Sequence, residues 1–88
     1  MLRNLVKSAL KSHVVTILSR IEFEGGVPLN ALKARTTFDL RPFSHDQVEA
    51  AIDELIHQGE VVERPHWLTG ERMIGLSSIV LAAELRAA

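Results

Sequence analysis

The chain contains no cysteine, a single tryptophan and three prolines in its 88 residues. The absence of cysteine excludes disulfides, thiol nucleophiles, iron–sulfur clusters and cysteine-ligated zinc sites, and it fits a reducing compartment, so we expect a cytoplasmic location. An excess of charge is missing too, because ten Lys+Arg face eleven Asp+Glu, for a net charge of -1. Any contact with nucleic acid would therefore have to use local basic patches rather than bulk positive charge.

Long hydrophobic runs are also absent. The most apolar stretch, residues 73–83, contains Gly75, Ser77 and Ser78 and ends before Glu84, which is well short of the roughly 20 apolar residues of a membrane helix. We expect no membrane span and no export signal. The composition, 47% hydrophobic and 24% charged without a repeat or a linker, predicts one globular domain over residues 1–88.

Apolar residues recur every three or four positions from Leu2 to Ile21, which predicts one helix, or two helices that break near residues 8–12. Gly25 and Gly26 are expected to end this helix, and Val27-Pro28 to form a short extended segment. A second helix is predicted from Leu29 to about Arg35, followed by a connecting loop over Thr36–Phe43.

The third predicted helix spans about residues 44–58. Ser44 and Gln47 match a capping box, Phe43 is placed to pack against Val48, and Gly59 can end the helix in a left-handed conformation. The apolar period then changes to two, which predicts strands at Glu60–Arg64 and Arg72–Leu76 joined by a hairpin tip. A last helix is expected from Ser77-Ser78 to the C-terminus. The fold class is therefore mainly α with a small β-hairpin, an α+β fold.

This order of elements, together with VEAAIDELIHQGEVVE at residues 48–63 and GGVPLNALKART at residues 25–36, resembles the winged helix-turn-helix family over about residues 12–76. The resemblance implies a third helix that enters the DNA major groove and a hairpin wing beside it. Our leading hypothesis is accordingly a small dimeric protein that binds duplex DNA, a transcriptional regulator. The candidate DNA-binding residues are Lys33, Arg35, Arg41, His45, Gln47, Arg64, His66, Trp67 and Arg72.

The alternative function is a winged-helix protein-interaction module that does not bind DNA. Asp46, Glu49 and Asp53 lie on the outward face of the third helix, where they would oppose the phosphate attraction that supplies most nucleic-acid affinity. The basic residues of the hairpin could equally be paired with Glu60, Glu63 and Glu71. For Trp67 at the hairpin tip we expect a ring folded back over the core, the alternative being an exposed anchor for a partner.

Both ends of the chain, residues 1–11 and 77–88, carry apolar stripes beyond those a winged-helix unit needs. We expect these helical extensions to pair in a homodimer, the alternative being that they cover each other within one chain. The candidate interface residues are Leu2, Leu5, Val6, Ala9, Leu10, Ile79, Val80, Leu81 and Leu85. Arg3, Lys7 and Lys11 recur every four residues and form a basic stripe along the first helix. We expect this stripe to be a solvated face, the alternative being a partner that compensates the mutual repulsion of the three charges.

Catalysis is not expected. Ser44-His45-Asp46 contains the residue types of a hydrolase triad, but consecutive residues at a helix start point in different directions and cannot relay a proton. The four histidines lack metal-ligand spacing, and His13 lies on an apolar stripe that favours a packed neutral ring. We therefore predict no enzyme activity, no metal and no cofactor.

Overall fold

A computed structural model describes residues 2–20 and 26–87, with side chains from residue 5 onward. These residues form four helices and three strands: α1 Leu2–Arg20, β1 Val27–Pro28, α2 Leu29–Asp39, α3 His45–His57, β2 Val61–Pro65, β3 Arg72–Leu76 and α4 Ser77–Ala87. The predicted mainly helical fold with a small antiparallel sheet is confirmed. The N-terminal helix is continuous rather than broken. Of the two glycines expected to end this helix, Gly25 lies outside the described part, as do the side chains of Leu2 and Arg3, whereas Gly26 is described and has a φ of 83°.

The sheet has the order β1-β3-β2, and both pairings are antiparallel. Val62 lies opposite Gly75 and Arg64 opposite Met73, so these four residues share one face because side chains alternate along a strand. Val61 and Ile74 belong to the other face and are buried. One face therefore covers the helical core, and the opposite face, which we call the outer face, is available to α4.

The core lies between α1, α2, α3 and the inner face of the sheet. Its centre is formed by fully buried aliphatic side chains from every one of these elements. They include Leu10, Val14, Leu18, Leu29, Leu32, Val48, Ala51, Ile52, Leu55, Val61 and Ile74. The apolar spacing that predicted the helices therefore identifies their buried faces correctly.

The second helix is longer than predicted, and the expected loop over Thr36–Phe43 is wrong for its first half. The helix continues to Asp39 because Thr36 is fully buried and its hydroxyl donates to the carbonyl of Leu32 at 2.8 Å. Thr37 donates in the same way to Lys33, at 2.9 Å. A β-branched residue that satisfies its hydroxyl within the helix costs little there. The connection between α2 and α3 is thus only residues 40–44.

Both ends of α3 have the predicted caps. Ser44 accepts a hydrogen bond from the Gln47 amide, and the Gln47 side chain accepts one from the Ser44 amide, which completes the capping box. At the other end Gly59 has a φ of 81°, and the amides of Gly59 and Glu60 donate to Ile56 and Leu55. This pair of hydrogen bonds is a Schellman motif. The Schellman motif also fixes the start of β2, because Glu60, which takes part in it, directly precedes the first residue of the strand.

The last helix lies on the outer face of the sheet. It begins directly after β3, where the Ser77 amide donates to the Glu60 carbonyl and the Ser77 hydroxyl donates to the Gly59 carbonyl. Val80 is the residue of α4 that is buried, and it packs on Gly75. In the described part of the chain, no helix is both long enough and apolar enough to cross a membrane.

Candidate interaction surface

The hairpin between β2 and β3 ends in a tip held by its own backbone. The His66 amide donates to the Glu71 carbonyl at 2.8 Å, and the Gly70 amide donates to the His66 carbonyl at 2.9 Å. The Nδ1 atom of His66 accepts from the amides of Leu68 and Thr69. These hydrogen bonds fix the chain on either side of Trp67, and they use His66 as a structural element of the tip.

The prediction that Trp67 folds back over the core is wrong. Its residue surface is 88% exposed, and the adjacent Leu68 is 70% exposed. The Trp67 ring stacks on the ring of His66, with centroids 5.9 Å apart and an interplanar angle of 22°. Because the hydrogen-bonded tip holds its neighbours, Trp67 projects into solvent beside a second large apolar side chain. Such a pair is typical of an anchor for a partner.

An open groove of about 1020 Å³ lies between the outer face of the sheet and α4. Its floor is formed by Pro28, Val62, Met73 and Gly75, while α4 forms one wall and Trp67 stands at the end nearest the hairpin tip. The wall residues are Val80, Ala83, Glu84 and Ala87. The groove lies beside the point where Val80, the buried residue of α4, packs on Gly75. It is predominantly apolar and adjoins the exposed tryptophan, and we call the groove and the tip residues Trp67 and Leu68 together the outer-face site.

The charged side chains among those that line this groove are Arg64 and Glu84, and they form an ion pair with each other. Nε of Arg64 lies 2.7 Å from Oε1 of Glu84, and Nη2 lies 3.5 Å from Oε2. The Glu84 carboxylate raises the pKa of Arg64 above its ordinary value. Arg64 therefore serves to tie β2 to α4, and the groove carries no net charge. The hypothesis that Arg64 pairs across the hairpin is not what the structure shows, since its partner is on α4.

A different ion-pair network joins the wing to α3. Nη1 of Arg72 lies 3.1 Å from Glu49 and Nη2 lies 3.6 Å from Asp53, while Nε pairs with Glu63. Glu63, and less strongly Asp53 and Glu49, raise the pKa of Arg72. Lys33 reaches the same Glu49 at 3.7 Å. Two of the three outward carboxylates on α3 are thus engaged with two of the candidate DNA-binding cations, and the pairing of Arg72 with Glu63 was anticipated.

The remaining candidate DNA-binding residues lie around the connection between α2 and α3. Arg35 pairs with Asp39 at 2.9 Å, and Arg41 lies over the ring of Phe38, 4.9 Å from its centroid. His45 is exposed at the start of α3, with Nε2 3.4 Å from the Thr37 hydroxyl. Gln47 is used in the capping box. These four residues have their contacts within α2, the connection and the start of α3, whereas Arg64 pairs with Glu84 of α4, so the two sets are engaged with different elements.

The expectation that the basic stripe on α1 is a solvated face is wrong for two of its residues, which have the compensating partner that was the alternative. Lys7 and Lys11 both contact Glu54 of α3, at 2.9 and 3.1 Å. Hydrogen bonds from these two lysines lower the pKa of Glu54. His13, expected as a packed neutral ring, instead has Nε2 2.9 Å from Oδ2 of Asp39, and this contact, followed by that of Arg35, lowers the pKa of Asp39.

The described candidate dimer residues are of three kinds, buried, exposed and half-buried. Leu10 and Val80 are 2% and 6% exposed, so they belong to the interior of the single chain and offer no interface area. Leu5 and Leu85 are mostly exposed, Leu81 less so, and Ala9 is exposed as well. Val6 and Ile79 are half-buried. The exposed candidates form two pairs four residues apart on their helices, Leu5 with Ala9 and Leu81 with Leu85, and the terminal-helix interface stays a prediction.

The groove was not predicted from the sequence, because no local residue pattern indicates the distance between α4 and the sheet. The available signal was Gly75 in a strand followed by small residues at Ala83 and Ala87, which allow close approach without filling space. Across the described ranges, no group of three or more His, Cys, Asp or Glu residues is arranged to hold a metal ion.

The charge and exposure pattern is the main evidence for a function, because comparison with known proteins adds none. No protein-family model, no curated protein and no solved structure matches this chain.

Proposed function

We propose that this chain is a winged-helix protein-interaction module whose contact surface is the outer-face site. The observation that carries the proposal is the 88% exposure of Trp67 on a hydrogen-bonded tip at the end of an apolar groove. Tryptophan is among the residues most enriched at energetically dominant positions of protein interfaces. A fixed anchor also loses little conformational entropy when a partner covers it.

The charge arrangement supports a protein partner over duplex DNA. Lys33, Arg35, Arg64 and Arg72 each have a carboxylate partner within 4 Å. A phosphate would have to displace these carboxylates, and an exposed pair is easily exchanged, so pairing alone does not forbid DNA. The outward face of α3, however, still presents acidic groups where a major-groove reader needs donors or neutral groups.

A second candidate function, duplex DNA binding as a transcription regulator, is favoured by the short connection between α2 and α3. With residues 40–44 as the turn, the two helices have the proportions of a helix-turn-helix, and the first turn of α3 is exposed. If the chain binds duplex DNA, the hairpin wing and the N-terminus of α3 would contact the duplex.

One titration separates the two functions. Fluorescence anisotropy of a labelled mixed-sequence duplex at about 50 and about 200 mM salt reports phosphate contacts through the salt dependence of binding. The proposed function predicts no binding at either concentration. Tight binding that weakens steeply with salt, and that is lost in the Arg64→Ala, Arg72→Ala double variant, would instead support the DNA candidate.

A direct test of the outer-face site places a photo-cross-linking amino acid at position 67 in the full chain. The matched control carries it at position 38, because Phe38 is also an exposed aromatic residue but does not line the groove. We expect a defined protein adduct from position 67 that excess wild-type chain suppresses and an Ala83→Glu chain does not. Equal adducts from both positions would contradict the proposal.

A further inference from the structure

We propose that the partner of the outer-face site is a second copy of this chain, so that Trp67 and Leu68 of each copy lie against the groove of the other. This inference rests on the proposed function and names its partner. It places the two-fold contact at the hairpin tip and groove rather than at the terminal helices.

A projection and a recess adjoin on one surface of the chain. Trp67 stands at the end of the groove and is 88% exposed, while the floor beside it is formed by Val62 and Met73. A two-fold contact requires self-complementarity, in which residue i meets residue j and j meets i. An anchor beside a recess meets this requirement, because a two-fold rotation places the Trp67 side chain of each copy against the groove of the other copy.

The charges of the groove are compatible with a two-fold contact. A two-fold axis brings a surface against its own copy, so a patch with net charge would repel itself. The charged residues among those lining the groove are Arg64 and Glu84, and they form an ion pair at 2.7 Å. The chain as a whole has a net charge of -1. Neither the patch nor the molecule therefore opposes self-association, and Arg64 of one copy can exchange onto the carboxylate of the other.

Side chains, rather than the backbone of an edge strand, supply the area of this contact. Strand β2 is an edge strand, but Pro65 and Arg64 at its end disfavour the addition of another strand, so side chains rather than backbone must form the contact. Two tryptophans bury about 300–500 Å² together. With two copies of Leu68 and the groove floors, the total approaches the lower end of the roughly 1,200–2,000 Å² of specific interfaces. We therefore expect a weak, concentration-dependent dimer.

Trp67 is the only tryptophan of the chain, so its fluorescence reports on this contact directly. The full chain is studied by sedimentation velocity and tryptophan emission from about 1 µM to about 1 mM, the range of weak complexes. We expect the mass to double and the emission to move to shorter wavelength over the same concentrations. Ala83→Glu, which places a carboxylate in the groove wall and keeps Trp67, should leave the chain monomeric with unshifted emission.

Trp67→Ala should also remain monomeric, whereas Phe38→Ala should dimerise like the wild type. Circular dichroism checks that each variant is folded. A monomer at every concentration would overturn the inference, and so would a dimer that persists in Ala83→Glu or that is lost in Leu85→Glu but kept in Trp67→Ala. If the chain stays monomeric while position 67 still cross-links to another protein, the second copy is excluded and the proposed function stands. Failure of both experiments would reject both.

Discussion

A β-carbon placed on Gly75 would lie 2.5 Å from Cγ2 of Val80. Helix α4 therefore packs on the sheet at a point where only hydrogen fits, and this contact sets how the helix crosses the outer face. The groove opens beyond it, toward Ala83 and Ala87. The width of the outer-face site thus depends on one glycine and one valine.

Gly75→Ala is expected to destabilise the chain by about 1–3 kcal/mol, because the added methyl overpacks the contact with Val80 and the short valine side chain has few ways to move aside. Urea unfolding followed by circular dichroism measures the change. Val80→Ala in the same background should recover part of the loss, since it removes the atom that the methyl meets. Additive effects of the two substitutions would contradict a direct contact.

Ser44→Ala is expected to cost about 0.5–2 kcal/mol of unfolding free energy, because it removes the acceptor for the Gln47 amide at the N-terminus of α3. Thermal or urea unfolding provides the value. The control is Ser8→Ala, an exposed position within α1, where alanine has the higher helix propensity and no loss is expected. Equal losses at the two positions would remove the cap as the explanation.

Gly59→Ala is expected to cost about 1–2 kcal/mol, since φ at this residue is 81° and a β-carbon disfavours that conformation. No heavy atom lies within 4 Å of the added carbon, so the loss would be one of backbone conformation and not of packing. Gly59→Asn should lose less, because asparagine tolerates left-handed geometry. Unfolding free energies of the two variants test this order, and an asparagine variant as unstable as the alanine variant would contradict it.

The elements that sequence patterns predicted best are those with local chemical signals. The capping box at Ser44 and the glycine at position 59 set the bounds of α3 correctly, because each acts through hydrogen bonds within a few residues. The end of α2 was missed, since Thr36 has a modest helix propensity and only its full burial against the core makes the helix continue. Tertiary packing of this kind has no local signature.

The sequence identified some residues of the candidate site, but it did not predict how these residues are arranged. The sequence identifies Trp67 as a hairpin-tip residue with two possible orientations, and the choice depends on hydrogen bonds from Leu68 and Thr69 to His66 that the residue pattern does not encode. Similarly, Arg64 is evident as a wing cation, but its partner Glu84 is 20 residues away. Long-range contacts of this kind decide which carboxylate pairs with each cation, and the pairing of Arg64 follows from the packing of α4 on the sheet.

The pH dependence of stability should contain a contribution from Glu54. Hydrogen bonds from Lys7 and Lys11 hold its pKa in the folded chain below the ordinary value of 4.5. A carboxyl whose folded pKa is lowered stabilises the fold above the unfolded pKa, and this contribution is lost as the pH falls through the folded pKa. Glu54→Gln should therefore be less stable than the wild type near neutral pH, and the two should converge in acid. Urea midpoints measured at about pH 7 and about pH 2.5 test the convergence.

The lysines provide the control for this prediction. In a Lys7→Gln, Lys11→Gln background both lysine partners of Glu54 are absent and its hydrogen bond from Gln58 remains, so the further change Glu54→Gln should shift the urea midpoint much less than it does in the wild type. The contribution arises from partly exposed groups that link α1 to α3, and added salt should weaken it in the wild type. A Glu54→Gln effect of equal size in acid and at neutral pH would show that the carboxylate acts through packing rather than through its charge.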